Sequence, residues 1–215
     1  MTSTNGTPIG LYGGTFDPIH FGHLRTALEL KEGLGLQEVR LVPARISPLR
    51  DKPQASSQDR LRLLAEAVAG VQGLVVDDRE LCRAGPSFTV DTLASLRAEV
   101  GNVPLCLLLG TDAFLGLPRW REPERILELA HIVVAHRPGW SIPTVGQAAE
   151  WLQERRGEGA MALIQKPSGV ILTYPVTALD ISATAIRRML AEGRSPRFLL
   201  PDATLRIIRE SGLYR

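Results

Sequence analysis

The residues in this chain best equipped for chemistry run Gly13-Gly14-Thr15-Phe16-Asp17-Pro18-Ile19-His20-Phe21-Gly22-His23. Glycine has no Cβ, so Gly13 and Gly14 let backbone N–H groups come close to an anion. The apolar spacing of Leu24, Ala27, Leu28 and Leu30 predicts a helix from about Gly22, and its entrance presents free N–H groups and the positive end of its dipole. His20 and His23 are three apart at that entrance, so both imidazoles can face one ligand and donate to phosphate oxygens as charge builds up. Zinc ligation, or two histidines satisfied inside the core, are the competing readings. No third zinc ligand stands at a motif spacing, which leaves the anion site as the stronger reading.

A second segment, Ile181-Ser182-Ala183-Thr184-Ala185-Ile186-Arg187, repeats the logic near the other end of the chain. Ser182 or Thr184 can cap the helix that follows, with hydroxyls and free N–H groups facing an anion. Arg187 follows one turn later with a planar, permanently charged fork. A capped surface helix with solvated Arg187 and Arg188 is the plainer alternative for this segment taken alone.

Elements that could position these groups are legible around them. The order is strand (Ile9 to Tyr12), glycine turn at Gly13-Gly14, and helix; then strand Glu38 to Pro43, a long Pro-, Ser- and charge-rich loop from Ala44 to Gln58, and a helix carrying Leu61, Leu64, Ala65 and Val68. Further strands fit Leu74 to Asp77, Leu105 to Leu109, His131 to Ala135 and Val170 to Leu172, with helices near 89 to 99, 122 to 129 and 145 to 155. Short, continuously apolar strands alternating with amphipathic helices predict an α/β fold, a Rossmann-like, doubly wound parallel sheet with both faces covered. Ligands in such sheets sit beyond the carboxyl ends of the strands, where Gly13 and Gly14 fall. Ser182 to Leu190 and Pro201 to Ser211 read as a small C-terminal helical extension stopped by Gly193 and Gly212. We expect residues 1–215 to form one domain whose helical part starts near residue 180.

Composition sets outer limits. The chain has 215 residues, 44% hydrophobic and 22% charged, which is enough to bury a sizeable core. Its 25 basic and 23 acidic residues leave a net charge of +2, too little for a protein that holds nucleic acid through a basic surface. Cys82 and Cys106 show no CxxC spacing, so neither a disulfide framework nor a zinc knuckle is indicated. No leader-like segment or apolar run of membrane length stands out, so a cytoplasmic location without membrane contact is expected. A homo-oligomer stays open.

The first segment resembles the nucleotidyltransferase signature with its T/HxGH motif, here His20-Phe21-Gly22-His23. The longer GGTFDPxHxGHL form is similar to small adenylyltransferases, and in particular to the bacterial nicotinate mononucleotide adenylyltransferases. Ile181 to Arg187 resembles that family's ISxTxIR segment, and Asp78 to Leu93 its E-x-x-R-x-x-x-S-Y-T-x-x-T-L stretch. Gly110-Thr111-Asp112 resembles its G-x-D, while Leu117 to Trp120 and His136 to Gly139 also match. The resemblance implies transfer of AMP from ATP to nicotinate mononucleotide, with Mg²⁺ arriving on the ATP. It implies ATP contacts from Gly13, Gly14, Thr15, Phe16, His20, His23, Gly110, Asp112, Ile181, Ser182, Thr184 and Arg187. His20, His23 and Arg187 carry the catalysis, Arg187 at the β- and γ-phosphates. Mononucleotide contacts are implied for Arg45, Arg50, Phe88, Thr89, Trp120 and Arg137: Thr89 at the pyridine carboxylate, Trp120 stacked on the ring, Arg137 near phosphate. No protein metal ligand is implied.

The chain departs from that pattern in one place. Ala44-Arg45 and Ser47-Pro48-Leu49-Arg50 replace the family's two Asn and its Pro-Pro-His-Lys/Arg loop, so Arg45 and Arg50 bring the positive charge there. Phe88 stands for the usual Tyr. Rival readings explain less. A phosphopantetheine adenylyltransferase or a cytidylyltransferase leaves the Phe88, Asp112 and Trp120 segments unexplained. A class I aminoacyl-tRNA synthetase lacks its KMSKS-like lysine segment here. A noncatalytic nucleotide sensor has no need of both histidines and Arg187.

Overall fold

The computed structural model describes residues 6–48, 51–137, 139 and 144–215. Six strands form one sheet: β1 (Ile9–Gly14), β2 (Glu38–Pro43), β3 (Leu74–Val76), β4 (Leu105–Gly110), β5 (His131–His136) and β6 (Ile171–Pro175). Their order is β3-β2-β1-β4-β5-β6 and every pairing is parallel. The chain therefore starts in the middle, winds out to β3, returns to β4 and winds out the other way. The reversal between β1 and β4 opens a crevice at their carboxyl ends.

Side-chain alternation assigns each face its layer. From β4 and β5, Cys106, Leu108, Val133 and Ala135 point into one core, and Leu105, Leu107, Leu109, Ile132 and Val134 into the other. The first face is covered by α1 (Phe21–Gly33), α2 (Ser57–Val68), α8 (Ala183–Ala191) and α9 (Asp202–Ser211). The second is covered by α4 (Thr89–Val100), α5 (Thr111–Gly116), α6 (Pro123–Leu129) and α7 (Gln147–Arg155). Leu30, Leu63, Leu64, Leu93 and Leu96 are wholly buried, each worth about 1.5–3 kcal/mol of removed apolar surface. Ile186, Leu205, Ile207 and Ile208 share the core of α1 and α2, so the C-terminal helices complete one layer of the sandwich.

Two differences from the sequence expectation bear on the site. Gly13 and Gly14 are strand residues, paired with Val42 and Pro43, because the ladder with β2 runs two residues beyond Tyr12; the turn is Thr15 to His20. Three short elements near the site had no readable period: α3 (Arg79–Cys82), α5 and the 3₁₀ turn Leu117–Arg119, each six residues or fewer; so had the 3₁₀ turn Ala160–Leu163 elsewhere. Among the described residues no helix is long and apolar enough to cross a membrane.

Candidate active site

The crevice has a glycine floor. Gly13 and Gly110, near the ends of the central strands β1 and β4, are exposed, and a Cβ on either would meet nothing within 4 Å. Beside it α1 begins. His20 is its N-cap residue, 5% exposed and making no side-chain cap; Phe21 N donates to Leu199 O and His23 N to His20 O, each at 3.0 Å, which leaves the Gly22 N–H for another acceptor. The His20 and His23 rings stack with centroids 3.7 Å apart and planes 28° from parallel. Phe16 meets the His23 ring edge-on at 5.1 Å and Tyr12 at 6.4 Å. Burial pushes the His20 pKa down to about 4, and burial followed by the neighbouring His20 holds His23 well below the usual value. Both imidazoles are neutral at physiological pH. The Nδ1 atom of each is buried without a hydrogen-bond partner. Gly22 is what permits the stack, since a Cβ there would stand 3.0 Å from His20 Cε1 and Nδ1.

The entrance of α8 converges on the same place. Ile181 O lies 3.7 Å from where a Gly22 Cβ would be. Of the two candidate caps, Ser182 holds the role, accepting from Ala185 N at 3.1 Å. Arg187 reaches back over the turn after β1. Its Nη1 donates to Asp17 O at 2.6 Å and lies 3.8 Å from the Asp17 carboxylate, Nη2 donates to Thr184 Oγ1 at 3.4 Å, and Nε is buried and unpartnered. Two helix N-termini, a stacked pair of imidazoles and a guanidinium thus gather at one end of the crevice. That constellation suits a polyanion.

At the other end stands α4, whose N-cap residue Phe88 offers no side-chain acceptor, so the N–H groups around Thr89 are uncapped. The half-buried Trp120 closes the 3₁₀ turn after α5. Arg121 ties these pieces together: its guanidinium lies 4.8 Å above the Phe88 ring and 3.8 Å from Asp91. Arg45 N donates to Ser87 Oγ at 2.9 Å, Arg45 Nη1 to Arg83 O at 2.8 Å, and Ser87 N to Ile46 O at 2.9 Å. The stretch after β2 is therefore pinned to the stretch before α4.

Comparison with known proteins agrees with this geometry. The cytidylyltransferase-like family model matches residues 11–189. A relative from Methylococcus capsulatus, named probable nicotinate-nucleotide adenylyltransferase, is 49% identical over 207 residues, 96% of this chain and 99% of its own. One of the same name from Halorhodospira halophila is 51% identical over 206 residues, covering 96% and 94%. This chain belongs to the nicotinate-nucleotide adenylyltransferase family. A Plasmodium falciparum nicotinic acid mononucleotide adenylyltransferase complexed with NaAD shares the fold, with a TM-score of 0.72 at 18% identity over 97% of this chain and 98% of that one.

In this nicotinate-nucleotide adenylyltransferase family member the expected residues fall into two groups. Gly13, Gly14, Thr15, Phe16, His20, His23, Ile181, Ser182, Thr184 and Arg187 gather around the two helix entrances, and Gly110 and Asp112 sit at the end of β4 and the start of α5. Phe88, Thr89 and Trp120 gather at the α4 end with Arg45. Arg137 does not join them: it follows β5 and pairs with Asp180 at 3.7 Å, beside the α8 entrance. Arg50 lies outside the described residues.

Sequence reasoning passed over three residues behind the site. Asp17 is 5% exposed, and its carboxylate accepts from Gln54 N at 2.8 Å, Ala55 N at 3.1 Å and Tyr214 Oη at 2.7 Å. Arg60 is 1% exposed and donates to Thr15 O at 2.6 Å. The available signal was context: Asp17 lies among Phe16, Pro18 and Ile19, and Arg60 sits three and four residues before Leu63 and Leu64, on the apolar stripe of α2. A polar group in such surroundings has to be partnered.

Proposed function

We propose that this chain transfers AMP from ATP to nicotinate mononucleotide, giving nicotinate adenine dinucleotide and pyrophosphate in the making of NAD, and that it does so by direct in-line displacement. The mononucleotide phosphate oxygen attacks the α-phosphorus while the bond from that phosphorus to the β-bridging oxygen breaks. The nucleophile is already an anion, so no general base and no covalent intermediate is required, and catalysis reduces to positioning and charge neutralisation. His20, His23 and Arg187 do that work on the triphosphate. The observation that carries the reading is the stacked imidazole pair with both Nδ1 atoms buried and unpartnered beside the β1–β4 crevice.

The pyridine is assigned to the α4 end. An uncapped helix entrance at Thr89 offers N–H donors and the positive end of a helix dipole to the nicotinate carboxylate, which favours the acid over the neutral amide. Trp120 supplies the platform for the ring and Arg45 the charge at this end, while Arg137, beside the α8 entrance, supplies charge near phosphate. Among the described residues no three His, Cys, Asp or Glu side chains converge on a point, so the donors present fit a Mg²⁺ carried on the triphosphate and held by phosphate oxygens and water. When bound, the ion neutralises charge developing on the departing pyrophosphate. Residues 1–215 act as one catalytic unit in this reading, and the shared core of Ile186, Leu205 and Ile208 with α1 and α2 supports it.

The test is pyrophosphate release by purified protein with ATP and Mg²⁺, offering nicotinate mononucleotide, nicotinamide mononucleotide and phosphopantetheine side by side. The first is expected to be strongly preferred. His20→Ala is expected to lower kcat by about a hundredfold or more while ATP binding weakens far less. Equal losses in turnover and ATP binding, or preference for phosphopantetheine, overturn the assignment.

A further inference from the structure

The short bond made by Arg187 is to a backbone carbonyl, that of Asp17, in a turn with no regular secondary structure. What holds that carbonyl in place decides where the guanidinium points. The turn is not held by local preference, since Phe16 has φ +49°, a left-handed conformation that bulky residues seldom adopt. It is held by the Asp17 carboxylate, clamped from the Gln54–Ala55 backbone on one side and by Tyr214 on the other.

Tyr214 is the penultimate residue. Gly212 ends α9 in a left-handed conformation, Tyr214 follows with φ +65°, and the chain doubles back to sink the ring until it is 8% exposed. Packing alone would be served by Phe. The hydroxyl instead donates to Asp17 Oδ1 at 2.7 Å, inside the protein, where a hydrogen bond to a carboxylate is stronger than a neutral one. The segment spends its last residues on the underside of the site, 197 positions away in sequence from the carboxylate it meets.

We infer that Tyr214 is a positioning residue for adenylyl transfer: its bond to Asp17 fixes the turn on which Arg187 is seated, and so fixes Arg187 against the triphosphate. The inference rests on the reading that Arg187 faces ATP. Removing the hydroxyl leaves the carboxylate held from the Gln54–Ala55 side alone, so it can settle toward those two N–H groups, the Asp17 carbonyl shifts with it, and the guanidinium loses its bearing. Misplacement on the scale of an ångström is enough to slow a reaction that depends on alignment.

The experiment is a double-mutant cycle on kcat/KM for ATP, using wild type, Tyr214→Phe, Arg187→Ala and the double variant. Thermal midpoints are measured for all four, and the assays run well below the lowest. Tyr214→Phe is expected to lose about tenfold in the wild-type background and less than about twofold once Arg187 is gone. A purely structural tyrosine would cost the same factor in both backgrounds, and that result overturns the inference, as does a Tyr214→Phe protein within about twofold of wild type. If Arg187→Ala itself leaves kcat/KM unchanged, the assignment of Arg187 to ATP fails and the inference falls with it. A crippled Arg187→Ala protein beside an unaffected Tyr214→Phe protein removes the inference alone.

Discussion

His20 and His23 are placed so that the ligand, not the protein, supplies the reason for them to be charged. Their rings stack at 3.7 Å, burial holds His20 at about 4, and His23 lies well below its usual value. Two adjacent imidazolium ions would repel each other in a poorly solvated place, so the surrounding protein keeps both neutral. A triphosphate reverses the balance by bringing negative charge beside the two rings, and the folded-state pKa values rise on binding. ATP binding near neutral pH is therefore expected to take up protons, and affinity to strengthen as pH falls from neutral toward 5. Calorimetry of Mg²⁺-saturated ATP in two buffers of different ionisation enthalpy reads the uptake directly, and His20→Gln should reduce it. Identical enthalpies in the two buffers would show that the imidazoles stay neutral and donate as they are.

Helix entrances are where the sequence was most readable and where its limits show. The six strands and the long helices were legible because each carries an apolar period over enough residues, and the helix entrances were legible because Gly, His and Ser stand at recognisable offsets. The short α3 and α5 were not, because a period of 3.6 cannot be counted over four or six residues. Nor could local spacing place Asp17 against Tyr214 and Arg187, since those contacts are made only when the C-terminal helices fold back over α1 and α2. Gly22 shows what an element-level test can separate. In the first turn of α1 an alanine gains up to about 1 kcal/mol of helix propensity over glycine. Its Cβ, however, would stand 3.0 Å from two atoms of the His20 ring, which would have to shift. Gly22→Ala is expected to keep or raise the thermal midpoint while kcat/KM for ATP falls about tenfold. A variant as active as wild type would mean the His20 ring has freedom that the stacked geometry denies.

At the scale of the molecule, the sheet holds neutral imidazoles at both of its edges. His20 and His23 lie at the carboxyl edge, and His131 opens β5 at the amino edge with no exposed surface. His131 Nδ1 accepts from Val170 N at 3.0 Å and its Nε2 lies 2.9 Å from Lys166 O, so the proton sits on Nε2 and the ring is neutral. Burial is the chief cause holding its pKa at about 4. Above about pH 6.5 the folded and unfolded chains bind the same histidine protons. Below it the unfolded chain protonates while the folded chain does not, so stability is lost from about pH 6.5 down to the folded values near 4. His20 and His131 each contribute a loss of about 2 kcal/mol between pH 7.5 and pH 5. That loss comes before the carboxylates: Asp77, held low by Arg79 against its burial, gives up its share only as pH falls through the carboxylate range. Urea unfolding at pH 7.5 and pH 5 is expected to show the drop in wild type and a smaller one in His131→Phe, although that variant starts lower, with Val170 N–H and Lys166 C=O unpaired at a cost of about 1–3 kcal/mol. A wild-type stability that is level between the two pH values would mean that the buried imidazoles titrate alike in both states, and the neutral pair at the active site would lose its physical basis with them.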